Sequence, residues 1–160
     1  MFATITRATP RLSSLFVSSA PRRLFTVSTI HAMSSRQVVS TTNAPAALGP
    51  YSQAIVSNGM VFVSGQIPIN PASGEIEAKD ISGQTDQVLK NLEAVLVASG
   101  SSIANVVKTT CFLDDINEWP AMNEVYGKVF HTAPPARSAF EVGKLPKNAK
   151  VEIEAIATLN

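Results

Sequence analysis

In "PPARSAF" (residues 134–140), Arg137 follows a rigid Pro134–Pro135 pair and enters what reads as a strand. A guanidinium cannot shed its charge, so wherever it is buried it must face a carboxylate or a phosphate. Counter-charges lie in the closing segment "KVEIEAIA" (150–157). Side chains alternate along a strand, which puts Glu152 and Glu154 on one side and Val151, Ile153 and Ala155 on the other. Two readings are open. In the plainer one, which residue chemistry alone favours, Arg137 pairs with one of these glutamates across a ladder. In the other, Arg137 holds a ligand carboxylate bidentately while a glutamate nearby orients or deprotonates water. Beyond residue 32 the sequence has one other arginine, Arg36. A ligand held this way would therefore be a small monocarboxylate, since a dicarboxylate or a nucleotide would need more cations. Such a site, with no metal, cofactor or histidine relay, suits a reaction of low intrinsic barrier, of which hydrolysis of a preformed imine is one.

Other chemistries lack the residues they need. Beyond residue 32 the sequence holds one histidine, His131, and one cysteine, Cys111, too few for a zinc or iron cluster. No GxGxxG or GxxxxGK[ST] stretch occurs, which removes the usual dinucleotide and P-loop sites. A Ser-His-Asp triad would have to use His131 at a helix end, with no nucleophile elbow before it. No metal and no cofactor are expected. Cys111 in "VVKTTCFL" is expected to pack as a small hydrophobe.

The elements that must position Arg137 and the glutamates can be read from periodicity. At 160 residues, with 45% hydrophobic and 16% charged residues, the chain can bury one core and is too short for two ordinary domains. "RQVVS" (36–40) is a short strand followed by a proline-punctuated loop. Two β-rich runs flank Asn58–Gly59, a strong hairpin signal. From Asp80 the period becomes helical: Val88, Leu89, Leu92, Val95 and Leu96 share one face, and Gly100 stops the helix. "IANVVKTTCFL" (103–113) reads as a β-branched strand. Asn117 is expected to cap a second helix with Pro120 in its first turn and Met122, Val125, Tyr126, Val129 and Phe130 on its buried side. "ARSAFEV" and "KVEIEAIATL" close the chain as strands. The pattern predicts an α+β fold, with about six strands in a mostly antiparallel sheet and two helices on one face. Two helices cover a sheet face incompletely, so self-association is expected.

Residues 1–32 have a different composition. They carry Arg7, Arg11, Arg22 and Arg23, many Ser and Thr, and no acid; the first acidic residue is Glu75. That composition is expected of a mitochondrial transit peptide, with the mature domain spanning 33–160 and residing in the matrix. The segment "RLFTVSTIHA" (23–32) is similar to the site cut by the mitochondrial intermediate peptidase. Of the 13 Lys and Arg, four lie in this leader, so the remainder carries 9 against 12 acids and is mildly acidic. Nucleic acid is therefore not expected as a main partner. No apolar run approaches the roughly 20 residues that span a bilayer, and no membrane insertion is expected.

Seven segments, "APAALGPYSQA", "VFVSGQIP", "QTDQVLKNLEAVL", "VVKTTCFLDDIN", "MNEVY", "PPARSAF" and "VEIEAIA", resemble in order and spacing the RidA (YjgF-type) reactive-intermediate imine deaminases. The resemblance runs from about Ala44 to Leu159. It implies a chorismate-mutase-like α+β fold in a homotrimer with sites between subunits. It implies hydrolysis of 2-aminoacrylate, 2-iminopropanoate and 2-iminobutanoate to 2-oxo acids and ammonia, and a functional link to threonine dehydratase and other pyridoxal-phosphate enzymes that release such intermediates. By the same resemblance Arg137 would clamp the substrate carboxylate, Glu152 would position the attacking water, and Tyr51, Gly65 and Asn123 would line the pocket. Position 139 departs from the pattern, because many members carry cysteine where this chain has Ala139. A thiol-dependent step is thereby put in doubt, although the backbone N–H of Ala139 could still bind substrate. The rival implied by the same relatives is a non-catalytic metabolite-binding or regulatory trimer supporting mitochondrial maintenance and branched-chain amino acid metabolism.

Overall fold

A computed structural model describes residues 36–160; the leader expected over 1–32 lies outside the described residues. The chain runs β1 (Gln37–Val39), β2 (Ala54–Ser57), β3 (Met60–Gln66), α1 (Ile81–Ala98), β4 (Val106–Leu113), α2 (Trp119–Val129), β5 (Ala136–Glu141) and β6 (Val151–Thr158). The strands form one sheet in the order β1-β2-β3-β6-β4-β5. Every neighbouring pair is antiparallel except β4 and β5, which are parallel. A parallel pair needs a crossover, and α2 supplies it between β4 and β5. The expected α+β architecture, six strands with two helices on one face, is what the chain adopts.

Local chemistry explains where the elements begin and end. Asn58 and Gly59 turn β2 into β3 with positive φ at both residues, 52° and 74°, the geometry a two-residue hairpin requires. Asp80 caps α1 by accepting from the Gly83 N–H at 2.9 Å. Gly100 follows the helix at φ 79°. Two boundaries differ from the sequence reading. Residues Ile103–Asn105 form a 3-10 turn, so β4 starts at Val106. Asn117 caps nothing: it lies inside a second 3-10 turn, and the Asp115 carboxylate accepts from the Asn117 N–H at 2.8 Å instead. Asp115, two residues earlier, thus caps that turn, and the residue before α2 is Glu118, whose side chain makes no capping bond.

One core holds the layers together. Val88, Leu89, Leu92, Val95 and Leu96 of α1 pack with Met122 and Tyr126 of α2 against Val61, Val63, Cys111, Leu113, Ile153 and Ala155 of the sheet. Phe130 is buried with them, while Val125 and Val129 pack at the margin. Because alternate residues of β6 are consumed by this core, Glu152 and Glu154 must point to the other face of the sheet. That other face stays open, with Phe62 and Phe140 about half exposed. Phe140 meets Phe112 edge-on at 5.5 Å between ring centroids. A smaller apolar cluster of Ile67, Ile69, Leu145 and Ala149 gathers beside Phe112. It is tied to α1 by the buried Asn91 amide, which donates to the carbonyls of Ile67 and Ile69 at 3.0 and 2.9 Å. Cys111 packs in the core, and burial pushes its thiol up to about 11.

Candidate active site

Strand order removes the plainer of the two readings of Arg137. β5 lies at the edge of the sheet and β4 separates it from β6, so Arg137 cannot meet Glu152 or Glu154 across a ladder. Arg137 also points to the helix side, away from both glutamates. Its Nη2 donates to Asn123 Oδ1 at 2.8 Å. Its guanidinium carbon lies 4.5 Å from the centroid of the Tyr126 ring and 5.6 Å from that of Trp119. These three partners come from one helix, at positions i, i+4 and i+7 of α2, the spacing that puts side chains on one stripe. Among the described residues no carboxylate comes within salt-bridge distance of Arg137. The arginine instead borders an open hollow of about 420 Å³ with Asn123, Tyr126, Gly127, Phe130, Pro134 and Pro135. Two residues along β5, Ala139 faces the same side and opens onto Ile116, Trp119 and Pro120. Its register partner on β4 is Cys111.

Glu152 sits in a different place. It is half-buried on the open face of the sheet, at the back of a hollow of about 340 Å³ that it lines with Leu48, Gly49, Tyr51, Ser64, Gly65, Ile67 and Pro146. Gly65 lies at a bulge in β3, and a Cβ there would collide with the Glu152 carboxylate. The glycine thus leaves the space that the Glu152 carboxylate occupies, and a larger residue would push that side chain aside. The loop that carries Tyr51 is pinned by the buried Gln53 amide, which donates to the carbonyls of Thr41 (3.1 Å) and Pro45 (2.7 Å) and accepts from the Thr41 N–H. The Tyr51 hydroxyl accepts from the Leu48 N–H at 3.1 Å. Burial raises the Glu152 carboxyl above the usual range, and the neighbouring Glu154 charge adds to the rise.

The six residues singled out from the sequence therefore fall into two groups within one chain. Arg137, Asn123 and Ala139 share the helix side of the β5 edge; Glu152, Gly65 and Tyr51 share the open face. Sequence reasoning missed Trp119 as a neighbour of Arg137 and saw Tyr126 only as core. The spacing of Trp119, Asn123 and Tyr126 on α2 was the available signal. It also missed Ser64, in β3 beside the bulge, and Pro146, which opens a short 3-10 turn before β6.

The six-stranded α+β fold, with its strand-helix-strand crossover at one edge, is shared with solved structures of the Rid family. The chain belongs to the Ribonuc_L-PSP (RidA/YjgF) family: residues 41–159 match the family described as Endoribonuclease L-PSP. It is 48% identical over 147 residues to the Arabidopsis thaliana protein named Reactive Intermediate Deaminase A, chloroplastic, covering 91% of this chain and 79% of that one. It is 44% identical over 122 residues to the Homo sapiens 2-iminobutanoate/2-iminopropanoate deaminase, covering 76% and 89%. Among solved structures, E. coli TdcF with bound serine superposes with a TM-score of 0.74 at 42% identity, covering 78% of this chain and 99% of that one.

The raised carboxyl of Glu152 has a consequence for stability. A group whose pKa is higher in the folded state favours folding when protonated, and that contribution is lost as pH rises through the folded value. Glu152→Gln, which stays neutral, should therefore melt above the wild type at neutral pH. The gap should close as pH falls through the carboxylate range, as thermal unfolding between about pH 4 and pH 8 would reveal.

Proposed function

We propose that the protein hydrolyses reactive enamine and imine intermediates, 2-aminoacrylate, 2-iminopropanoate and 2-iminobutanoate, to 2-oxo acids and ammonia. The observation that carries this reading is Arg137, a fixed cation at the border of an open hollow, with no carboxylate within salt-bridge distance among the described residues. In the reaction Arg137 binds the substrate carboxylate as a bidentate pair. Glu152 accepts a proton from water as its oxygen bonds to the imine carbon, and the C=N electron pair moves to nitrogen. The protonated imine thus becomes a neutral carbinolamine; Glu152 returns its proton to the amino nitrogen, and the C–N bond breaks as the hydroxyl proton passes back to Glu152, leaving the carbonyl and ammonia. A carboxylate raised by burial suits both halves of that exchange, since it takes up and releases a proton closer to neutrality than an exposed one. Tyr51, Gly65, Asn123 and the Ala139 backbone line the pocket. The names of the Arabidopsis and human relatives support this chemistry, and the serine bound by the TdcF relative is itself a small monocarboxylate.

Arg137 and Glu152 face opposite sides of one sheet, so the proposed site is assembled from two copies, with the arginine half of one chain set against the glutamate half of the next in a homotrimer. The half-exposed Phe62 and Phe140 on the open face support such an assembly. The substrate would come from pyridoxal-phosphate enzymes such as threonine dehydratase, and residues 1–32 would deliver the protein to the mitochondrial matrix. A ribonuclease reading, suggested by the family description, is disfavoured. His131 is the one histidine among the described residues, whereas general acid/base cleavage of RNA by histidines calls for a pair.

Threonine dehydratase supplies imine in a coupled assay, in which the wild type should accelerate its decay. Arg137→Ala should lower kcat/KM by about 10²- to 10³-fold, the loss expected for two charge-assisted hydrogen bonds. Glu152→Gln should bind 2-oxobutanoate nearly as tightly as wild type and lose about 10²- to 10⁴-fold in kcat. A wild type no faster than the spontaneous decay would leave the non-catalytic metabolite-binding trimer in its place. If the site spans two chains, the two inactive variants unfolded and refolded together should regain part of the activity that neither shows alone. Fusion of residues 1–32 to a fluorescent reporter should direct it to mitochondria; a cytosolic reporter would remove the targeting proposal.

A further inference from the structure

Arg137 is held in an unusual way for a half-buried cation. Of the five N–H donors of a guanidinium, one is taken by Asn123, and among the described residues of its own chain no carboxylate lies within salt-bridge distance. What the arginine has instead is aromatic surface, Tyr126 at 4.5 Å and Trp119 at 5.6 Å. Ring faces carry negative charge density, so they stabilise a cation without occupying the N–H groups at its edge.

Tyr126 is not free to move away. Its hydroxyl is hydrogen-bonded at 2.8 Å to Thr109 Oγ1, and Thr109 is fully buried. Thr109 is also the register partner of Arg137 on the adjacent strand. Strand β5, strand β4 and helix α2 thus close a small ring of contacts: Arg137 beside Thr109, Thr109 to Tyr126, and Tyr126 back to Arg137. Trp119 stands about two turns nearer the start of α2 than Tyr126 and is partly exposed.

We infer that Trp119, Tyr126 and Thr109 are positioning residues that replace a protein counterion at Arg137 and hold its unengaged N–H groups toward an incoming carboxylate. The inference deepens the deaminase reading, because it rests on Arg137 as the carboxylate holder, but it is tested by binding rather than by turnover. A carboxylate partner within the protein would fix the guanidinium equally well and would compete with the ligand for the same N–H groups. Aromatic faces fix it from the side and leave the edge open.

Trp119 is the only tryptophan of the chain, so its fluorescence reports directly on this cradle. The probes are 2-oxobutanoate, which does not turn over, and its uncharged amide. The acid should change Trp119 emission saturably, the amide should not, and Arg137→Ala should abolish the response. By calorimetry, Trp119→Leu should weaken 2-oxobutanoate about 3- to 20-fold, whereas Trp119→Phe, which keeps a ring, should stay close to wild type. Tyr126→Leu and Thr109→Val should act in the same direction; both sites are buried, and if either fails to fold the partly exposed Trp119 series decides the matter. In an Arg137→Ala background Trp119→Leu should have no further effect, since the ring acts through the arginine.

A merely structural role predicts equal losses for acid and amide, and that result would overturn the inference. So would unchanged Trp119 emission at saturating 2-oxobutanoate, or full affinity in Trp119→Leu. Carboxylate-selective binding with the expected losses, in a protein that hydrolyses no imine, would uphold the cradle and remove the deaminase reading alone.

Discussion

The interaction on which the site depends is the contact between the Arg137 guanidinium and the aromatic stripe of α2. Removing a cation from water without an anion to meet it is unfavourable by several kcal/mol in a dry interior. Partial exposure, one neutral hydrogen bond and two ring faces offset much of that here. The arrangement explains why the β4-α2-β5 crossover is built as it is. Trp119, Asn123 and Tyr126 reach the arginine because α2 runs over the one parallel pair in the sheet, and Thr109 locks the deepest of the three from below. A carboxylate in place of Asn123 would satisfy the charge and close the site.

A second constraint comes from the alternation of side chains. The core takes Val151, Ile153, Ala155 and Ala157 of β6, and so commits Glu152 to the opposite face from Arg137. The two residues proposed to bind and to activate water are thereby kept apart within one chain. Within one chain, among the described residues, no cation therefore stands beside the Glu152 carboxyl to hold it low. On its own face, against the Gly65 backbone and with Glu154 as neighbour, Glu152 is raised instead. Gly65 makes this possible by leaving room for the carboxylate where any larger residue would displace it.

Much of this was legible in the sequence, and the parts that were not share a cause. The hairpin at Asn58–Gly59, the buried stripe of α1 and the alternation of "VEIEAIA" are local patterns, and each is found where its periodicity places it. Arg137 and Glu152 could be singled out because charges in apolar strands are few. Their relation could not be read, since strand order is not written in any one segment: β4 stands between β5 and β6, and its register aligns Arg137 with Thr109 and the core-facing Ala155 rather than with a glutamate. Asn117 was mistaken for a cap because Asp115, two residues earlier, offers the same chemistry with a charge. Trp119 escaped notice because a partly exposed aromatic at the start of a helix has no partner until the arginine is placed above it.

The departure at position 139 bears on the type of reaction the site can support. With Ala139 on the strand, the nearest thiol is its register partner Cys111, which is fully buried and raised to about 11, so almost none of it is thiolate near neutrality. Covalent catalysis through sulfur would need a more exposed and more acidic group than this one. What remains is a fixed cation, a carboxylate raised toward neutrality and backbone donors, a set that can bind, orient and exchange one proton with water. That set is insufficient for a stable amide or ester, whose hydrolysis calls for a strong nucleophile or stabilisation of a full oxyanion. It is sufficient for a protonated imine, in which the electrophile is already activated and the leaving nitrogen already basic. The chemistry the residues lack therefore narrows the substrate class as firmly as the chemistry they possess.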